Sequence, residues 1–274
     1  MFKIIIMALL IFIGMVGYDN ITDKAQPTTP VQQEQQKISK HEKSAAMALF
    51  VSLLPPKEEW PSPVHKFYLA FNMDEVIDPI RQNPNWTSLD AISRDIPQAL
   101  IAIEDHAFYN HGAIAVEGIL RAALANINAG EVVQGGSTLT QQFVKNVFLS
   151  HEQSMERKIE EAVLSLMLED NYSKDEILEL YLNTTYFGAG STGIKQASRT
   201  YFGKAPSALT LAEAAVIASL PYAPTSLNPL ENPEGCKKRQ LLVLAAMHKY
   251  GMINQGQLAE AKAEKIRLTN GTVM

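Results

Sequence analysis

The segment from Glu104 to Glu161 constrains this chain more than any other stretch. It opens with Glu104-Asp105-His106-Ala107-Phe108-Tyr109-Asn110-His111 and passes through Gly135-Gly136-Ser137-Thr138-Leu139-Thr140-Gln141-Gln142. It closes with Arg157-Lys158-Ile159-Glu160-Glu161. These blocks hold two acidic groups able to do proton chemistry, Glu104 and Glu161, and the segment holds three cations able to bind phosphate, Lys145, Arg157 and Lys158. The middle block is small, polar and Gly-led, which suits close approach by a bulky polar substrate. A fold that uses these blocks together must bring three separated stretches to one cleft. The combination points to sugar transfer from a diphosphate-linked donor at a membrane.

The rest of the chain bounds that reading. Its 274 residues can bury a good core in one or two domains, and 46% hydrophobic with 19% charged residues excludes disorder throughout. A formal charge of -5 lacks the basic footprint of a nucleic-acid binder. Cys236 is the only cysteine, so neither an intrachain disulfide nor a cysteine-based metal cluster can form. Near the start, Lys3 precedes an apolar run from Ile4 to Val16 that ends at Gly17-Tyr18-Asp19. That run is shorter than the ~20 residues of a comfortable span but fits a signal sequence or a short anchor. With no small-X-small cleavage site, an uncleaved signal-anchor over residues 1–18 is favoured over a cleaved signal peptide. Either one exports the remainder to the extracytoplasmic side of the cell membrane.

Residues 19–44, rich in Gln, Lys, Thr and Pro, cannot bury enough apolar surface to offset chain entropy and read as a flexible tether. The folded domain is expected over 45–274. Ala45 to Leu54 reads as a short apolar helix, and a short strand is expected around Phe67 to Phe71. A helix is expected near Pro97, a residue favoured in a first turn, with Leu100 and Ile103 on its buried face and Glu104 at its end. Ile119, Ala122, Ala123 and Asn126 suggest another, followed by a mobile loop from Gly130 to Thr138. Ile159, Ala162, Val163, Leu166 and Met167 follow the i, i+3, i+4, i+7, i+8 spacing of an amphipathic helix. Ser173-Lys174-Asp175-Glu176 and Thr210-Leu211-Ala212-Glu213 are capping boxes opening two more. Gln240 to Tyr250 and Gln255 to Lys265 read as helices split by Gly251. The expected domain is mainly helical.

Arg157 and Glu161 are four apart and share a helix face, with Lys158 one turn before Glu161. An ordinary solvated ion pair has the same spacing. Lys145 upstream and the donors from Ser137 to Gln142 favour a diphosphate site, where Arg offers a planar fork and Lys a point charge. Magnesium or manganese bridging Glu161 and phosphate oxygens would also suit it. A sugar hydroxyl is a poor nucleophile at neutral pH and needs a base within hydrogen-bond reach, the role open to Glu104. A helix-end Glu with a surface or capping role is the alternative. His106 and His111 lack an evident third ligand for a metal.

Five blocks in order now identify a resemblance. The pattern E-D-x-x-F-x-x-H is met by Glu104, Asp105, Phe108 and His111, G-G-S-T-x-T-Q-Q by Gly135 to Gln142, and R-K-x-x-E by Arg157, Lys158 and Glu161. A fourth block runs through Glu179, Tyr181-Leu182-Asn183, Gly188, Gly193 and Tyr201-Phe202-Gly203-Lys204, and a fifth from Glu213 through Leu220-Pro221 to Ala223-Pro224. Over roughly 96–261 the chain resembles the peptidoglycan glycosyltransferases, the transglycosylase module of class A penicillin-binding proteins and its monofunctional relatives. The resemblance implies a lysozyme-like, mainly α fold with a large helical lobe and a smaller membrane-associated lobe. It implies polymerisation of lipid II into β-1,4 glycan strands, with no organic cofactor and with cell-wall synthesis proteins as candidate partners.

By the same resemblance Glu104 would deprotonate the acceptor 4-hydroxyl. Glu161, with Lys145, Arg157, Lys158 and a divalent ion, would stabilise the departing diphosphate. Asp105, Ser137, Thr138, Gln142 and Asn146 would line the donor side. The chain departs from the pattern after His111, where Gly112 and Ala113 come in reversed register and Ala115 stands where Asp is common. Apolar residues there, Ile114, Val116, Ile119 and Leu120, suit either membrane contact or core packing. No Ser-X-X-Lys with the partners of a penicillin-reactive domain is present, so no transpeptidase is expected here. Two rival readings are a lysozyme-like glycan-cleaving enzyme, which needs no phosphate-holding cations, and a non-catalytic cell-wall scaffold.

Overall fold

The computed structural model describes residues 68–69, 72–115, 117–120, 127, 135–150 and 154–274. The expected signal-anchor, the tether, the Ala45 to Leu54 helix and most of the Gly130 to Thr138 loop lie outside them. Among the described residues there are nine α-helices and no named strand. In chain order they are α1 (Asp74–Arg81), α2 (Asp95–Glu104), α3 (Leu139–Phe148), α4 (Met155–Asn171) and α5 (Lys174–Thr184). They continue with α6 (Ile194–Phe202), α7 (Leu211–Ser219), α8 (Pro233–Lys249) and α9 (Gln255–Ala263).

Two packing groups share one core. In the first, α2, α7 and α8 lie against one another. Every residue of α7 from Ala212 to Ser219 is buried, because a run of alanines lets neighbouring helices approach on all sides. Thr210 opens α7 through a capping box with Glu213. The Gln240 amide donates to the Ala212 carbonyl at 2.8 Å, tying α8 to α7. In the second group α3 packs on α4 and α5. Here the tie is polar: Glu169 Oε1 accepts from Thr140 Oγ1 and from Lys174 Nζ, each at 2.6 Å, joining all three helices. Phe108, Leu139, Phe143, Leu168 and Tyr181 are among the largest fully buried side chains, each of the hydrocarbon ones contributing about 1.5–3 kcal/mol on burial.

The residues of the fourth and fifth sequence blocks build this scaffold. The Asn183 side chain accepts from Thr87 N at 2.8 Å and donates to Thr87 O at 2.9 Å, acting as a strand edge for the loop that leads into α2. Glu179 Oε2 accepts from Leu89 N at 2.6 Å in the same loop. Gly188 has φ +88°, and a Cβ there would stand 2.3 Å from Pro224 O and 2.9 Å from Tyr201 Oη. Only a glycine permits that approach of the two blocks. Lys204 Nζ bonds both oxygens of buried Glu213, at 2.6 and 2.9 Å, fastening the end of α6 to the start of α7.

Three expectations are corrected. Tyr68 and Leu69, taken as part of a strand, are helical, and Asn72 N donates back to Tyr68 O at 3.1 Å. Helix α8 begins at Pro233 rather than near Gln240, because Asn232 caps it by accepting from Gly235 N and Pro233 occupies a first-turn position that needs no N–H. The expected apolar stripe of α4 is divided, with Met167 packed against the core and Ala162 half-buried. Its buried residues are Glu161, Leu164, Ser165 and Leu168, whereas Ile159, Val163 and Leu166 are exposed together with Met155. The amphipathic period is present, but its apolar residues divide between the core and the outside.

Candidate active site

Glu104 is the last residue of α2, where the chain leaves the first packing group and turns towards α3. Its Oε2 accepts from Gln142 Nε2 at 2.9 Å, and Gln142 Oε1 accepts from Tyr181 Oη at 3.1 Å. The Tyr181 phenol is pushed far above its ordinary range by burial, with the Glu104 charge adding to the shift and Thr185 opposing it. The phenol therefore stays protonated. Among the described residues Glu104 Oε1 has no hydrogen-bond partner, so one oxygen is held and one is open.

Asp105 turns inward instead. Its Oδ2 accepts from Leu139 N at 3.0 Å, and its Oδ1 sits 2.6 Å from His111 Nε2. Leu139 is the first residue of α3, so this carboxylate stabilises the helix N-terminus where unpaired N–H groups and the positive dipole end gather. Thr138 caps the same terminus in a box with Gln141, and its hydroxyl also donates to Ala113 O at 2.8 Å. The reversed register after His111 is thereby anchored: Ala113 is buried and its carbonyl serves the cap. Part of the Gly-Gly-Ser-Thr block is thus a helix start, a signal readable as Thr138-x-x-Gln141 in the sequence.

The phosphate-holding candidates converge beside that terminus. Glu161, with its side chain only 2% exposed, accepts from Arg157 Nη1 at 3.1 Å through Oε2 and pairs with Lys158 through Oε1. Lys158 Nζ also donates to Ser137 Oγ at 3.0 Å, just ahead of α3. Ser154 opens α4 by accepting from Arg157 N at 3.1 Å, which sets the register that puts all three groups on one face. Arg157 Nε is buried without a partner. Lys145 and Asn146 lie further along α3, exposed and in no ion pair or hydrogen bond among the described residues. Ile119 packs against Gly136, where a Cβ would stand 3.0 Å from Ile119 Cα, so the entry to the block is close-packed.

The two histidines do not meet on a metal. His111 serves Asp105, and His106 stacks on Tyr250 with centroids 4.3 Å apart and planes 13° from parallel. Among the described residues no group of three His, Cys, Asp or Glu could hold a metal ion. Both oxygens of Glu161 are engaged by cations. A surface cavity of about 340 Å³ lined by Trp86, Thr87, Ser88, Lys195, Arg199 and Pro206 contains none of these residues.

Sequence reasoning overlooked Tyr181 as part of the site, because a tyrosine inside an apolar helix reads as core. The signal available was its place in the fourth block, two residues before the Asn183 that pins the loop into α2.

Comparison with known proteins adds four findings. The family model described as Transglycosylase matches residues 73–248. A Cupriavidus necator protein provisionally named a transglycosylase is 41% identical over 194 residues, 71% of this chain and 84% of that one. Penicillin-binding protein 1A of Aquifex aeolicus is 45% identical over 176 residues, 64% of this chain and 24% of that protein. Penicillin-binding protein 1F of Bacillus subtilis is 40% identical over 197 residues, 72% of this chain and 28% of that protein. The chain therefore spans most of one relative and about a quarter of the penicillin-binding proteins it matches. The family model takes in the blocks that fold around α3, and this chain belongs to the transglycosylase family.

Proposed function

We propose that this peptidoglycan glycosyltransferase extends β-1,4 glycan strands from lipid II by inverting transfer. One observation carries the reading: a single helix, α3, touches both acid centres. Its Gln142 holds one oxygen of Glu104, and the turn before it bonds Lys158 of the Glu161 cluster. Glu104 takes the proton of the acceptor 4-hydroxyl as that oxygen attacks the donor's anomeric carbon. The bond from that carbon to the diphosphate oxygen breaks on the opposite face. Arg157 and Lys158, with Lys145 reaching from α3, receive the charge that develops on the departing diphosphate. Glu161 holds two of these cations in place before substrate arrives. The positive end of α3 adds to the same field.

The setting we propose is a membrane surface, with the domain on its extracytoplasmic side. Support comes from the outward stripe of Met155, Ile159, Val163 and Leu166 on α4, and from exposed Ile119 and Leu120. No helix among the described residues is long and apolar enough to cross a membrane. The glycan-cleaving alternative has no use for Arg157 and Lys158 gathered on Glu161. The test is polymerisation of labelled lipid II read on a gel: long strands from the unaltered protein and none from Glu104→Gln. Strands from Glu104→Gln would reject the base, and breakdown of preformed glycan would favour the cleaving enzyme.

A further inference from the structure

We propose that Tyr181 is a positioning residue for the base, fixing from the core which way the Gln142 amide faces and therefore which oxygen of Glu104 accepts the proton. The inference rests on the function proposed above. Gln142 lies between a phenol and a carboxylate, and its amide has a donor end and an acceptor end. Tyr181 is buried and its phenol is held protonated, so it presents an O–H that must be satisfied inside the protein. The buried Thr185 hydroxyl, near enough to the phenol to oppose its shift, has no hydrogen-bond partner among the described residues. Gln142 Oε1, at 3.1 Å, is the acceptor within reach.

With the amide oxygen committed to Tyr181, its NH2 must face Glu104 Oε2, where it stands at 2.9 Å. The opposite flip would set a carbonyl against a carboxylate and leave the phenol O–H unpaired in the core. Both errors are expensive in a site of low polarity. The relay runs Tyr181 to Gln142 to Glu104, from α5 through α3 to the end of α2. It occupies Oε2 with a neutral donor and leaves Oε1 as the reactive oxygen. Tyr181 touches neither substrate nor reacting atoms. It acts through Gln142.

The experiment is a double-mutant cycle on the full chain with lipid II, using Tyr181→Phe, Gln142→Leu and the double variant, with Glu104→Gln as control. Tyr181→Phe removes one hydroxyl and keeps the ring in the core. It should lower kcat about tenfold and leave KM within roughly twofold, as expected for loss of orientation rather than of binding. In the Gln142→Leu background the same change should have no further effect on kcat, within about twofold. Gln142→Leu alone should lose at least as much kcat as Tyr181→Phe, so the inference stays testable should the buried substitution fail to fold. Wild-type kcat in Gln142→Leu overturns it. So does an equal loss from Tyr181→Phe in both backgrounds, the mark of a packing role. Polymer from Glu104→Gln would reject the base itself, whereas an inactive Glu104→Gln beside a fully active Tyr181→Phe rejects only this inference.

Discussion

Glu104 and Glu161 are the same residue in opposite surroundings. Glu104 closes an apolar helix, is only partly buried, and is touched by one neutral amide, with its second oxygen open. Glu161 lies inside α4, almost wholly buried, with a cation on each oxygen. A carboxylate with a cation on each oxygen is committed to holding those cations, whereas an unpartnered oxygen in a cleft is open to a substrate hydroxyl. The difference supports the proposed division of roles, with Glu104 to exchange a proton and Glu161 to organise charge. The helix between them, α3, is what keeps the two environments apart yet in register.

Substitutions that erase this contrast should produce graded effects. Glu104→Gln removes the base and should reduce strand synthesis by about 10²–10⁴-fold with little change in thermal stability. Glu161→Gln keeps shape but weakens the hold on Arg157 and Lys158. Its rate should fall about 10²-fold through misplaced cations, and urea unfolding should show a loss of about 1–3 kcal/mol, which Glu104→Gln should not share. Equal stability losses at the two sites would break the comparison.

Two smaller effects test the frame around it. Replacing Ile159 and Leu166 together by Asn should slow synthesis several-fold when lipid II is in bilayer vesicles and leave the rate in detergent unchanged. A matching loss in detergent would mean that the outward stripe of α4 supports the fold and not a membrane contact. Thr138→Val removes the cap of α3 and the bond to Ala113 O, and should destabilise the protein by about 1–2 kcal/mol in urea unfolding. No loss there would mean that Asp105 alone holds that terminus.

Much of this was legible in the residues. The capping boxes at Ser173 and Thr210 stand where their spacing puts them, because a cap is a local hydrogen bond between residues three apart. Glu104 ends its helix as the apolar run before it requires, and Arg157, Lys158 and Glu161 share a face because the helical repeat demands it. Helix α8 was half-read, since the Asn232-Pro233 start is local but Gly235 in its first turn hides it. The side of α4 that faces inward was not legible. Periodicity gives the phase of an apolar stripe, and which stripe meets the core depends on where α3 and α5 lie.

The sequence by itself determined a mainly helical chain, the two acid centres, the cations gathered on one of them, and the family those blocks resemble. These follow from spacings within a few residues, where geometry is set by the helix alone. Tertiary structure decided what those groups do to one another. It committed Asp105 to the start of α3, bonded Thr138 to Ala113, left Ile159, Val163 and Leu166 of α4 exposed, and joined buried Tyr181 to Glu104 through Gln142. Those contacts link residues tens of positions apart. No local pattern specifies them, because which donor meets which acceptor is settled only when the helices pack.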